Sequence, residues 1–241
     1  NCLFYDNYSD SWGGAISYNQ VYPIIKNSTF YSNWAETNGG AFHGDTNSEA
    51  PKIWNCICWD DSPNELDIVT ASSYLDVSYC DIEGGWTGAG SNNINVNPAF
   101  VGTLDFHLQS SSPCIDTANN GYAPSDDLDG NSRPVDGDSN GTATADMGCY
   151  EYQLPTIDLV IDSIVLDPPS PVINEPVTVT VNIRNQGNTA SGGFYVDFYP
   201  HRKTPPSSGY YGPSYQYFSS LGAGATASLV DRYPDPPTGT Q

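Results

Sequence analysis

Oxygen-bearing side chains crowd one stretch of the chain. Asp126-Asp127-Leu128-Asp129-Gly130-Asn131 is followed by Asp136, Asp138 and Asp146. The run D-x-D-G-N offers carboxylate and amide oxygens on alternate residues, with glycine at the bend, as a hard cation such as Ca2+ prefers. Asp127, Asp129 and Asn131 are the expected ligands, helped by Asp136 or Asp138. The bidentate glutamate that closes a standard calcium loop is missing, because Asp138 stands at that position. The competing reading is an Asp-Gly turn with Arg133 neutralising a carboxylate.

Other residues invite chemistry less strongly. Asp60-Asp61 suggests the paired carboxylates of a glycoside hydrolase, but neighbours on a strand point to opposite faces and cannot flank one bond. A lyase would need a base beside carboxylate-bound Ca2+, and the first 150 residues offer Lys26, Lys52 and Arg133 outside any recognisable motif. His43 and His107 have no Ser or Cys partner implied by local spacing, so a structural or surface role is expected for both. No catalytic set assembles on this reading.

The six cysteines lack paired C-x-x-C zinc spacing. Cys114 and Cys149 flank the acidic stretch and are the first disulfide candidates if the protein is extracellular; Cys56 with Cys80 is the second. Cys2 reads as a small buried filler. Trp86, Tyr210, Tyr211, Tyr215 and Tyr217 could stack on glycans or contact another protein.

The elements that must position these residues are repeats. Phe4-Tyr5-Asp6-Asn7 precedes Gly13-Gly14-Ala15-Ile16, and both halves return 26 residues later as Phe30-Tyr31-Ser32-Asn33 and Gly39-Gly40-Ala41-Phe42. The unit openings Asn1-Cys2, Asn27-Ser28, Asn55-Cys56 and Tyr79-Cys80 lie 26, 28 and 24 residues apart. Such a period marks a solenoid whose units bury their apolar faces only by stacking. Strand alternation then predicts interior columns of Cys2, Ser28, Cys56, Cys80 and of Phe4, Phe30, Cys58, Ile82. Asn7 and Asn33 fall at a bend, where each side chain can bond backbone or its counterpart one coil away. The glycine pairs suit a tight corner. No helical apolar period of useful length appears.

The paired F-x-x-N and G-G-A-[I/F] elements resemble those of polymorphic outer-membrane proteins and related right-handed parallel β-helix proteins. The later series runs from Ser78-Tyr79-Cys80-Asp81-Ile82 through Asn97-Pro98-Ala99-Phe100 and Ser112-Pro113-Cys114-Ile115-Asp116. It ends in Asp127-Leu128-Asp129-Gly130-Asn131-Ser132-Arg133 and Asp146-Met147-Gly148-Cys149-Tyr150-Glu151. That succession is similar to the end of bacterial surface β-helix proteins of the choice-of-anchor Q type. The resemblance implies a secreted or surface protein and carries over no catalytic residue.

Gln153 to Thr156 reads as a linker. Beyond it Ile157, Leu159 and Ile161, then Val177 to Ile183, then Phe194, Val196 and Phe198 alternate with polar residues, the pattern of an antiparallel sandwich. Asp158-Leu159-Val160-Ile161, Val177-Thr178-Val179-Thr180-Val181, Asn185-Gln186-Gly187 and Leu221-Gly222-Ala223-Gly224 resemble the immunoglobulin-like adhesion-related domain CARDB. The expected architecture is therefore all-β: parallel β-helix coils over 1–110, an acidic cap over 111–152, the linker, and an immunoglobulin-like sandwich over 157–241. That sandwich reads as about two strands short, and the chain opens in mid-repeat. An excerpt of a longer chain, or a subunit completed by strand exchange into a fibre, would each account for this.

With 7 Lys+Arg against 28 Asp+Glu in 241 residues, the formal charge is −21. Nucleic acid and anionic membrane surfaces are poor partners for such a chain, since both require clustered cations. No apolar run long enough to insert in a membrane occurs. The expected function is a non-catalytic extracellular structural or adhesive protein that meets itself, other surface proteins or glycans. A carbohydrate-active β-helix enzyme with its catalytic coils upstream, and a Ca2+-dependent glycan-binding module, are the alternatives.

Overall fold

The computed structural model describes residues 1–19, 23–46, 51–70, 75–172, 175–199 and 214–233. The chain divides into two compact units, Asn1–Gln153 and Leu154–Gln241. Among the described residues every regular element is a strand.

The first unit winds through parallel ladders whose neighbours come from successive repeats. One ladder stacks Leu3–Tyr5, Thr29–Tyr31, Ile57–Trp59 and Asp81–Ile82; a second stacks Ile16–Asn19, Phe42–Thr46 and Leu66–Thr70; a third stacks Ile24–Lys26, Lys52–Trp54 and Asp76–Ser78. This parallel-strand set fits a β-helix. Register pairs Phe4 with Phe30, Phe30 with Cys58 and Cys58 with Ile82, the column expected from the repeat. Phe4 and Phe30 stack with centroids 4.8 Å apart.

The bends repeat as faithfully as the strands. Asp6, Ser32 and Asp60 take φ of 54°, 55° and 59° at one corner. Gly13 and Gly39 take 67° and 68° at the next, where an added Cβ would meet a carbonyl oxygen at 2.3 and 2.5 Å. Gly14 and Gly40 are required for another reason. A Cβ on Gly14 would lie 2.4 Å from Gly40 O in the next coil, so the backbones touch there.

Asn33 closes the first corner from inside. Its Oδ1 accepts from Asn7 N and Asn7 Nδ2 (3.1 and 2.7 Å), while its Nδ2 donates to Phe4 O and to Asp61 Oδ1 (3.1 and 2.7 Å). The side chain is fully buried, so every polar atom must find such a partner.

Two coverings differ from expectation. The coil end is closed by the loop after Ile82: Val77 N donates to Ala89 O, Tyr79 N to Ser91 O and Ile94 N to Cys80 O, with Trp86 packed on the core. The acidic segment lies against the outer side of the first ladder. Gly148 N donates to Asn55 O, Cys149 N to Thr29 Oγ1, and Tyr122 stacks on Trp54 at 4.0 Å. That cover buries Thr29, Ile57 and Asp81, which strand alternation alone would leave wet.

In the second unit Val177–Asn185 pairs antiparallel with Leu159–Asp167 and Thr226–Tyr233, and Phe194–Phe198 pairs with Ser214–Phe218. Val179, Val181, Ile183 and Leu229 from one sheet share a core with Phe194, Val196 and Phe218 from the other. Asn185, fully buried, ties the corner by donating to Thr189 O and Leu221 O. The first expected strand departs from its pattern, for Ile161 is exposed and the register shifts just after it.

Replacing Asn33 by alanine strands Asn7 N, Phe4 O and one Asp61 bond inside the stack. The expected loss is about 3 kcal/mol, read as a lower midpoint in urea unfolding; an unchanged midpoint would mean the corner is held by something else.

Candidate functional site

Two departures from the repeat occur in the third coil, and they meet. Asp61 stands where the earlier coils carry Asn7 and Asn33, and Glu65 stands where they carry Ala15 and Ala41, since Leu66 pairs with Phe42 and Phe42 with Ile16. Both acids are buried. Asp61 N donates to Glu65 Oε1 at 3.1 Å, and Asp61 Oδ1 accepts from Asn33 N and Nδ2. Among the described residues Asp61 Oδ2 and Glu65 Oε2 meet no donor N–H or O–H, and two neighbouring buried carboxyls favour retaining a proton between them. Burial raises Asp61 to about 6, partly offset by bonds from Glu65 and Asn33. Burial, followed by the bond to Asp61 and its charge, drives Glu65 far higher, so Glu65 holds the proton. The pair borders a cleft of about 390 Å³ that also includes Glu83 and Trp86.

The acidic segment divides its residues between two tasks. Asp127 is buried; its Oδ1 accepts from the N–H of Asp129 and of Asn131, and its Oδ2 from Asn131 Nδ2 and Glu151 N. This is the turn reading, with four donors saturating one carboxylate. Asp129 Oδ2 instead faces His107 Nε2 at 2.9 Å, while Asp105 holds His107 Nδ1 at 2.6 Å. Partial burial pulls the imidazole down, and the bonds to both carboxylates outweigh it and raise it. The expected grouping of Asp127, Asp129 and Asn131 with Asp136 and Asp138 does not form. Among the described residues Asp136 and Asp138 gather with Asp116, one carboxylate oxygen from each within 4.8 Å of the others. Asp116 lies 20 residues upstream, which hid it from a local reading. The legible signal was the run Asp136-Gly137-Asp138-Ser139-Asn140-Gly141, itself D-x-D-x-N-G.

Arg133 does neutralise a carboxylate, pairing through Nε with Glu151 Oε2 at 2.9 Å, both side chains fully buried. Glu151 also accepts from Val135 N and Asp146 N. Asp146 Oδ1 and Oδ2 accept from Asp116 N and Tyr152 N, and burial with the Glu151 charge raises it to about 8. Asp127, Arg133, Asp146 and Glu151, the polar marks of the segment, are thus its internal fastening.

All six cysteines are free thiols, so neither expected bridge is formed. Cys114 Sγ donates to Asp81 Oδ2 at 3.2 Å, while Cys149 sits beside Thr29. Cys56 and Cys80 do stack, with Cys56 N 3.4 Å from Cys80 Sγ, but each thiol bonds to backbone carbonyls. Cys2 is exposed rather than a buried filler. Lys26 and Lys52 lie over the Trp54 ring at 5.4 and 5.3 Å, a packing role rather than that of a base. Tyr215 and Tyr217 belong to a strand, exposed on one face with Tyr195, whose ring is 6.1 and 5.0 Å from theirs. Tyr210 and Tyr211 lie outside the described residues.

Residues 156–236 match the family model CARDB, and residues 1–19 match the Chlamydia polymorphic membrane protein repeat. No curated protein and no solved structure matches the chain significantly.

The raised carboxyls set the sign of the pH dependence. The folded chain holds protons that the unfolded chain releases near the ordinary carboxylate range, so stability present at acid pH is lost as pH rises through about 6 for Asp61 and about 8 for Asp146. The melting temperature is expected to fall from pH 5 to pH 9. Glu65→Gln keeps a donor toward Asp61 without a proton to lose, so it should raise the melting temperature at pH 8 and flatten the slope. A slope identical to that of the parent would exclude proton sharing.

Proposed function

We propose that this protein is a cell-surface or extracellular structural and adhesive component, with a right-handed parallel β-helix rod and an immunoglobulin-like assembly or binding module. The observation that carries this reading is the pairing of the two matches, an outer-membrane-protein repeat at one end and CARDB at the other, on a chain whose repeats stack in register. The exposed Tyr195, Tyr215 and Tyr217 cluster supports a contact surface for proteins or glycans on the second unit. The charge of −21 favours partners that are neutral or cationic. Antibody raised against the chain should label intact source cells, and external protease should remove the label. Labelling that requires permeabilised cells would sink the reading.

A Ca2+-stabilised surface segment is the second reading, favoured by the meeting of Asp116, Asp136 and Asp138. Asn140 closes the same loop, its Nδ2 donating to Asp138 Oδ2 at 2.8 Å and its Oδ1 accepting from Thr142 N at 2.9 Å. Millimolar Ca2+ is expected to raise the melting temperature by about 5 °C over chelator, and Asp138→Asn to remove most of that rise. Equal melting temperatures with and without chelator would remove calcium from the account.

A further inference from the structure

Coil stacking brings together a hydroxyl, an imidazole and a carboxylate that the linear chain keeps apart. Register pairs Ser17 with His43 and His43 with Asp67, so the three stand in one column of the second ladder. His43 Nδ1 lies 2.9 Å from Asp67 Oδ2, and Trp12 stacks on the imidazole with centroids 5.6 Å apart. A carboxylate at Nδ1 fixes the tautomer that carries its proton there and leaves Nε2 as a base. Ser17 stands beside His43 on the coil opposite Asp67, at the paired position of the neighbouring strand. The His43 and Asp67 side chains are 13% and 23% exposed, shielded enough to strengthen their bond, while Ser17 is open to solvent. All three line one cleft of about 390 Å³.

We propose that Ser17, His43 and Asp67 form a nucleophile, base and orienting carboxylate that hydrolyse esters of neutral alcohols, such as O-acylated sugars. The activity goes beyond a surface role and stands or falls independently of it. Ser17 Oγ attacks the ester carbonyl carbon as its proton passes to His43 Nε2, and the carbonyl electron pair moves onto oxygen. Collapse of that oxyanion expels the alkoxide, which takes the proton from His43. Water, deprotonated in turn by His43, then attacks the acyl group on Ser17 and releases the carboxylic acid with the serine restored. Asp67 keeps the imidazole oriented and stabilises its cationic form. The step requires Ser17 Oγ to reach His43 Nε2 in the substrate complex, where catalytic bonds often tighten.

The surroundings select the substrate. Backbone N–H groups along the ladder are committed to neighbouring coils, as Ile16 N is to Ala41 O. Donors for the oxyanion must come from the side-chain amides of Asn19 and Asn38 in the cleft. Such a pocket suits an ester, whose alkoxide leaves readily, rather than an amide. Asp45 and the strongly acidic chain repel anionic substrates, while the Trp12 ring and Val69 offer an apolar wall to an acyl chain or a sugar face.

The test uses the whole chain with 4-nitrophenyl acetate for turnover and a fluorophosphonate for labelling. Turnover above buffer is expected, with fluoride displaced and the phosphonyl group recovered on the peptide containing Ser17. Ser17→Ala should abolish both while keeping the parent melting temperature, because the hydroxyl is exposed. His43→Gln and Asp67→Asn should each slow turnover by about 100-fold or more. Absent turnover from the folded parent, turnover that persists in Ser17→Ala, or a label on another residue would each overturn the proposal.

Discussion

Backbone hydrogen bonds between successive coils govern nearly everything else in the first unit. Thr29 N to Cys2 O, Ile57 N to Ser28 O and Asp81 N to Cys56 O repeat one contact at 2.9 to 3.0 Å. Once that contact is fixed, each side chain has a predetermined neighbour above and below, and a one-residue slip would turn every interior side chain outward. Composition of a column is then the variable left to the chain. The Phe4–Phe30–Cys58–Ile82 column fills space, whereas the Asn7–Asn33–Asp61 column must close a hydrogen-bond chain. An interior polar residue is tolerated only where the next coil supplies its partner.

Charge balance makes this harder. With four acids for each base, the chain cannot neutralise its buried carboxylates with cations. Arg133 serves Glu151, and the other buried acids rely on backbone N–H donors, a thiol or a retained proton. Asp127 takes four donors. Asp61 and Glu65 divide one proton, because two adjacent ionised carboxylates in a low dielectric would repel strongly. Hydrogen bonding and protonation are thus alternative solutions to the same desolvation cost, and which one a site uses follows from how many N–H groups the local turn exposes.

The sequence announced what repeats. Ladder order, the Phe4–Phe30–Cys58–Ile82 column and the bend asparagines follow from a 26-residue spacing, because stacking turns sequence period into spatial adjacency, while Cys2 at the head of the other column is exposed. It concealed what does not repeat. The acidic segment reads from sequence as a cap, yet it seats against the first ladder, which depends on Thr29 and Ile57 being bonded or apolar on the outward side that period-2 logic assigns to solvent. Asp127 and Arg133 were placed correctly in the turn reading, while Asp116 lay too far upstream to be counted with Asp136 and Asp138. Glu65 escapes a local reading because a glutamate after Pro63-Asn64 looks exposed until it is aligned with Ala15 and Ala41. His43 meets Asp67 across one repeat, a partner that local spacing does not show.

A coil stack therefore needs a different search for chemistry. Residues that cooperate are separated by one repeat length, not by helical or strand offsets, and strand-to-strand register supplies their geometry. In this chain that criterion joins Asn33 to Asp61 in the corner and Ser17 to His43 and Asp67 on the second ladder. The two columns have opposite fates for a physical reason. The corner column points inward, so its polar atoms are consumed by one another and by backbone, and it can only hold structure together. The second-ladder column lines an outer cleft with an aromatic wall, where His43 and Asp67 bond each other and Ser17 is open to solvent. Facing, more than residue identity, separates fastening from function in such a stack.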